Sequence, residues 1–247
     1  MMRLVMILLC VVLTVSCRQN YSYHDIEIFH DTPIYELAKM ADSEDTIGMK
    51  QFYSKNPMID IDSPEPIYHK SLLMWCISNG KLNSAKNLLD NHANPNYVCR
   101  RDGKTPLILA SGYRNQSFAI DDSFLLLLLN KGADANMISF DSLGKPHNPI
   151  YKAAGTSAEY VKDLIENGGG NPNLSLNGIP IIEVAVIQNK IETVYYLSIV
   201  KKVSLNVPLR SLGDGRSTKL IDIVRDMEFL PDSKEEKLKN EILKAYE

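Results

Sequence analysis

The sequence predicts an all-α solenoid of about six helix-turn-helix units, and three observations lead there. A turn motif recurs as MIDID at 58–62, HANPN at 92–96, GADAN at 132–136 and GGNPN at 169–173. Its closing residues Asp62, Asn96, Asn136 and Asn173 lie 34, 40 and 37 residues apart. A helix-opening motif recurs in phase with it: TPIYELA from Thr32, SLLMWCI from Ser71, TPLILAS from Thr105, NPIYKAA from Asn148, IPIIEVA from Ile179 and a worn TKLIDIV from Thr218. The third observation is the run Leu125 to Leu129 between the two motifs. It rises only about 7.5 Å in a helix, against roughly 30 Å of hydrocarbon in a bilayer, and polar residues bracket it, so it reads as core.

Each motif has a local cause. A threonine before proline opens a helix, because its hydroxyl accepts from free N–H groups and proline occupies a first-turn position where its missing donor costs nothing. Small residues such as Ala110, Ala153, Ala154 and Ala185 let the next helix approach closely. The second helix of each unit carries the apolar load, in SAKNLLD, FLLLLLN, YVKDLIEN and TVYYLSIV. Glycine or asparagine then ends it, as residues tolerant of the left-handed conformation do, with His92 standing at the glycine position of one turn.

The two signals together resemble the ankyrin repeat, whose T-P-L-H-x-A signature recurs about every 33 residues. That resemblance covers residues 32–230, with the first and last units atypical, and implies short β-hairpin or turn connections between the helix pairs. It also implies a concave face, built from hairpin tips and first helices, that grips a partner protein. Unit three carries extra residues in SGYRNQSFAIDD, and the loop MISFDSLGKPH is longer than its counterparts. At the far end, Asp232 or Ser233 caps a final helix, KEEKLKNEILKAYE, whose charged face suits the end of an open stack.

The N-terminus is different. MMRLVMILLCVVLTVSC has one cation, Arg3, and then an uncharged apolar run, the pattern of a signal peptide and too short to span a membrane. Its end resembles the lipobox of bacterial lipoproteins, with Thr14 departing from the usual leucine and Cys17 as the residue that would be lipidated. In that family's sorting rule, Arg18 after the cysteine implies the outer membrane. The expected layout is therefore a signal peptide at 1–16, a lipidated N-terminus and tether at 17–31, and a repeat domain with its C-terminal cap helix at 32–247, facing the periplasm.

Composition and chemistry narrow the function. The 247 residues are 45% hydrophobic and 23% charged, with a net charge of −3 that gives no pull toward nucleic acid. Only Cys76 and Cys99 remain in the mature part, so at most one disulfide could form; two unpaired thiols are expected, with Cys76 a small buried group. His24, His30, His69, His92 and His147 fall at no metal-binding helical spacing. NGGGNPN at 167–173 lacks the lysine and Ser/Thr of a phosphate loop and sits at a repeat turn. Asp121 and Asp122 suit a helix start better than acid–base chemistry. No catalytic, cofactor-binding or metal-binding residues are assigned, and the chain is read as a non-enzyme, a monomer when free.

The register places Tyr97, Arg100, Arg101 and Lys104 near one hairpin tip, Tyr113 and Arg114 after the third unit's first helix, and Phe140 and His147 on the next hairpin. Tyrosine and arginine dominate binding energetics. The four cations Arg100, Arg101, Lys104 and Arg114 stand against one acid, Asp102, so an acidic patch on the partner is expected. Architecture and compartment together resemble ankyrin-repeat lipoproteins that serve as immunity proteins to phospholipase effectors of type VI secretion. The other readings are a general envelope scaffold and, remotely, an envelope enzyme with an unrecognised site.

Overall fold

The computed structural model describes residues 21–114, 119–210 and 218–247. Cys17 and the expected signal peptide lie outside the described residues. Among the described residues twelve α-helices pair into six units: α1 (Tyr35–Asp42) with α2 (Thr46–Lys55), α3 (Leu72–Ser78) with α4 (Leu82–Asp90), α5 (Pro106–Ala110) with α6 (Ser123–Asn130), α7 (Pro149–Ala154) with α8 (Ala158–Glu166), α9 (Ile181–Ile187) with α10 (Ile191–Tyr195), and α11 (Leu220–Asp226) with α12 (Lys234–Ala245). First helices contact first helices, and second helices contact second helices, along the whole stack. Two parallel rows result, and each unit hides the apolar flank of the next.

The expected caps form where the motif is best preserved. Thr105 Oγ1 accepts from the Ile108 N–H at 3.2 Å, and Asn148 Oδ1 from those of Ile150 and Tyr151 at 2.8 and 3.2 Å, with Pro106 and Pro149 in the first turns. Ser71 does the same for Met74 more loosely, at 3.4 Å. The motif from Thr32 departs from expectation: its hydroxyl donates to the Phe29 carbonyl at 2.7 Å, and the helix begins only at Tyr35 with no side-chain cap. The helices after Ile179 and Thr218 also start without a hydroxyl or amide cap, at Ile181 and Leu220.

Of the five leucines, Leu125 and Leu128 are fully buried, while Leu126, Leu127 and Leu129 are half-buried against the same core. Ala110, Ala153, Ala154 and Ala185 are completely enclosed, which is what lets the helix rows close up. Cys76 and Cys99 are both buried and free, and burial pushes the Cys76 thiol far up. Ser233 caps α12 by accepting from Glu236. Helix α12 buries Ile242 alone among its residues, lies against α10 and α11, and so is both the second helix of unit six and the polar end of the stack.

The segment expected to be a tether needs correcting where it is described. Residues 26–29 form a 3₁₀ turn whose Ile28 and Phe29 are buried in the first unit, and Tyr21 packs against the same core. The sequence carries no repeat there because this segment is an added layer with its own contacts.

Between units the chain forms fingers. Strand β1 (Ser139–Phe140) pairs antiparallel with β2 (Pro146–His147), and β3 (Ser175–Leu176) with β4 (Ile179–Pro180). The two earlier fingers close through the same type of bond, Glu65 N–H to the Lys70 carbonyl at 3.1 Å and Cys99 N–H to the Lys104 carbonyl at 2.9 Å. Neighbouring fingers are joined in series: Cys99 Sγ donates to the Tyr68 carbonyl at 3.3 Å and Ser139 Oγ to the Gly103 carbonyl at 2.5 Å. In the first finger the buried Glu65 carboxylate accepts from the N–H groups of Ile67, Tyr68 and Lys70 at 2.7 to 3.0 Å, tying the turn from inside. No helix among the described residues is long and apolar enough to cross a membrane.

Candidate protein-docking site

Where fingers meet first helices, the stack leaves an open groove of about 620 Å³ over units three to five. Its floor is Ile108, Leu109 and Gly112 of unit three, Tyr151, Lys152 and Gly155 of unit four, and Val184 and Gln188 of unit five; Lys104, Lys145, Pro146 and His147 form its finger side. The floor is open at Gly155, which lacks a side chain, whereas the stem of Lys152 lies over Gly112. A Cβ at Gly155 would meet Val184 and Gln188 at 3.6 Å and the Lys152 carbonyl oxygen at 3.9 Å, all ordinary contact distances.

The lining is cationic. It contains three lysines and a histidine and no carboxylate. Lys104 is partly neutralised by Asp102 at 3.1 Å, and His147 Nε2 lies 3.4 Å from Asp141. Burial alone would raise the Asp102 carboxyl, but the Cys99 thiol and the Lys104 ammonium beside it leave it lowered. Lys145 and Lys152 are exposed and carry no ion pair among the described residues. The Tyr151 hydroxyl is pushed up to about 12, mainly by burial and then by the Glu183 carboxylate, so it remains a neutral donor across the physiological range.

Next to the groove, the turn between β1 and β2 presents two exposed apolar residues, Phe140 at 57% and Leu143 at 92% exposure. The turn is rigid: Asp141 Oδ1 accepts from Leu143 N–H and Lys145 N–H, both at 2.9 Å, and the Asp141 carbonyl accepts from Gly144 N–H at 3.0 Å. Backbone donation from Lys145, then from Leu143, and the nearby His147 hold the Asp141 carboxyl below its usual range against its own burial. An exposed leucine on a fixed turn beside a groove gives up little conformational freedom on binding.

The structure distributes the residues singled out in the sequence over three places. Lys104 and His147 line the groove and Phe140 stands at its rim. Tyr97, Arg100 and Arg101 share the finger of Lys104 but do not line the groove. On that finger Tyr97 donates to the His69 carbonyl at 3.1 Å, Arg101 donates to the Ile67 carbonyl at 3.0 Å with its guanidinium over the Tyr68 ring, and Arg100 is exposed. Tyr113 is spent on packing: its ring lies edge-on to Phe124 at 4.9 Å and its carbonyl accepts from the Tyr160 hydroxyl. Arg114 pairs through its backbone with Ile120 and does not line the groove.

Lys145, Tyr151, Lys152 and the exposed Leu143 were missed. Lys152 stands at the position held by Leu109 and Val184, four residues after the helix cap, and laying the helix openings over one another would have found it. Among the described residues no group of three histidine, cysteine or carboxylate side chains comes together as a metal site.

A scan against known protein families finds no match, and a search of curated proteins finds none. Among solved structures the chain is similar to the crystal structure of an ankyrin repeat protein, EF0377, with a TM-score of 0.60 and 19% identity over 85% of this chain and 97% of that one. The fold is therefore the ankyrin-repeat solenoid that the two in-phase motifs imply.

Proposed function

We propose that the chain is a protein-binding module held in the bacterial envelope by a lipid on Cys17, and that it neutralises an antibacterial phospholipase-type effector as its immunity protein. The observation that carries the binding function is the open, lysine-lined groove beside the rigid Phe140–Leu143 turn, a concave surface with apolar anchors at its rim and unneutralised charge at its centre. The envelope location is supported by the signal-like N-terminus ending in Thr14-Val15-Ser16-Cys17, and the immunity role by architecture combined with that compartment.

The test is co-expression in the periplasm with a lipase encoded beside it, scored by survival. Protection by the native chain, lost when Leu143 and Phe140 are both changed to serine, supports the reading. No protection by the native chain, with both proteins present, rules out the immunity role. Loss of membrane fractionation on Cys17→Ser tests the anchor separately.

A further inference from the structure

The chain already carries an occupant for one part of its own concave face. Residues 21–24 cross the inner surface of unit two: the hydroxyls of Tyr23 and Ser78 are bonded, His24 Nδ1 lies 2.9 Å from Asn79 Oδ1, and the Tyr68 hydroxyl donates to the Tyr21 carbonyl at 3.1 Å. Lys70 Nζ stands 3.6 Å from the centre of the Tyr23 ring, and Tyr68 meets that ring edge-on at 5.7 Å.

Counting from the helix caps Ser71, Thr105 and Asn148, the positions that hold this segment in unit two recur in the open groove. Lys70 corresponds to Lys104 and His147, Ser78 to Gly112 and Gly155, and Asn79 to Thr156 in unit four. Trp75, four residues after its cap, is 1% exposed, whereas its counterparts Leu109 and Lys152 are open to the groove. The groove is thus the same trough, filled by residues 21–24 over unit two and, among the described residues, left open over units three to five.

The contacts that would hold a ligand differ between the two parts. Glycine replaces the Ser78 hydroxyl: at 112 the Lys152 stem takes the freed space and at 155 the floor stays open, while Lys145 and Lys152, which carry no ion pair among the described residues, replace the aromatic lid over Lys70. Three first helices at about 8–10 Å spacing span roughly 20 Å, enough for about six extended residues.

We propose that this trough receives an extended acidic segment of the partner protein, laid in line with residues 21–24, with its carboxylates on Lys104, Lys145 and Lys152 and an aromatic or apolar side chain over Gly155, beside the Lys152 stem. The proposal rests on the protein-binding reading above and adds the chemistry of the bound segment.

The test uses the full-length chain in detergent and fluorescent octapeptides of alternating Glu-Tyr, Gln-Tyr and Lys-Tyr, read by anisotropy. The Glu-Tyr peptide is expected to bind saturably, more weakly as salt rises, and at least about tenfold more tightly than Gln-Tyr. Lys145→Glu with Lys152→Glu is expected to abolish that preference, and Gly155→Leu to fill the floor and block binding, each with an unchanged thermal unfolding curve. Equal binding of Glu-Tyr and Gln-Tyr, no saturation at about millimolar peptide, or native-like binding by folded Gly155→Leu overturns the proposal. Pull-down of the partner separates the two readings. If the partner is captured while the peptides show no charge preference, the acidic segment falls and the docking function stands; if the native chain captures no partner, the docking function itself falls.

Discussion

Asn96 Oδ1 accepts from the backbone N–H of Asp134 at 2.8 Å while its Nδ2 donates to the Gly132 carbonyl at 3.0 Å, so one side chain bolts its turn to the next. Asn136 repeats both bonds one unit on, to Asn171 N–H at 2.8 Å and the Gly169 carbonyl at 3.1 Å. Asp62 begins the ladder, accepting from Asn94 N–H with both oxygens at 3.0 and 3.1 Å. The recurring turn that gave the repeat away in the sequence is therefore the hydrogen-bonded spine between units.

Removing a rung should be measurable. Asn136→Ala deletes one donor and one acceptor bond, each worth about 1 kcal/mol net. The expected loss is about 1–2 kcal/mol, read as a lower denaturant midpoint. A midpoint equal to the native one would show that water replaces the side chain at no cost.

His92 holds the turn position that Gly132 and Gly169 hold elsewhere, and all three have positive φ, at 69°, 83° and 65°. A side chain in that region costs about 1–2 kcal/mol, partly offset by the greater unfolded-state freedom of glycine. His92→Gly should stabilise the chain by up to about 1 kcal/mol, seen as a raised unfolding temperature; a lowered one would mean that the imidazole makes compensating contacts.

Gly103 gives the opposite expectation. Its φ is 66°, and a Cβ there would lie 2.5 Å from the Asp141 nitrogen and 2.6 Å from the Phe140 carbonyl carbon, both backbone atoms of the next finger. Neither can rotate away. Gly103→Ala should cost about 2 kcal/mol or more and loosen the Ser139 bond to the Gly103 carbonyl, detectable as faster amide exchange at Ser139 and Phe140. Native exchange rates there would show that the fingers separate freely.

The stack was legible because its causes are local and repeated: Thr105 and Asn148 announce their helices by chemistry that acts within three residues. The departures are long-range. Thr32 has the same motif as Thr105, but its hydroxyl is taken by Phe29, a residue whose burial no local pattern signals. Tyr23 and His24 find partners 55 residues away in Ser78 and Asn79, so nothing near them in sequence marks them as packed. In the groove, Lys104 and His147 were visible from the finger register, whereas Lys152 becomes a groove residue only because glycine at 112 clears the space beside its stem.

Asp141 links the fold to the docking face, and pH tests the link. Its folded carboxyl is held below the unfolded value of about 3.9 by the N–H groups of Lys145 and Leu143 and by His147, so the stability it contributes is fully present above that value and is lost as pH falls through the lower folded one. Asp141→Asn keeps an oxygen acceptor but removes the charge that strengthens both bonds. The variant should therefore unfold at a lower temperature than the native chain at pH 7 and at pH 5, with the gap closing below about pH 4 as the native carboxylate takes up its proton. Because the same turn carries Leu143 and Lys145, partner affinity at pH 7 should fall in the variant even at temperatures where the stack is fully folded. A gap that persists unchanged at pH 2 would show that Asp141 acts through shape and not through its charge.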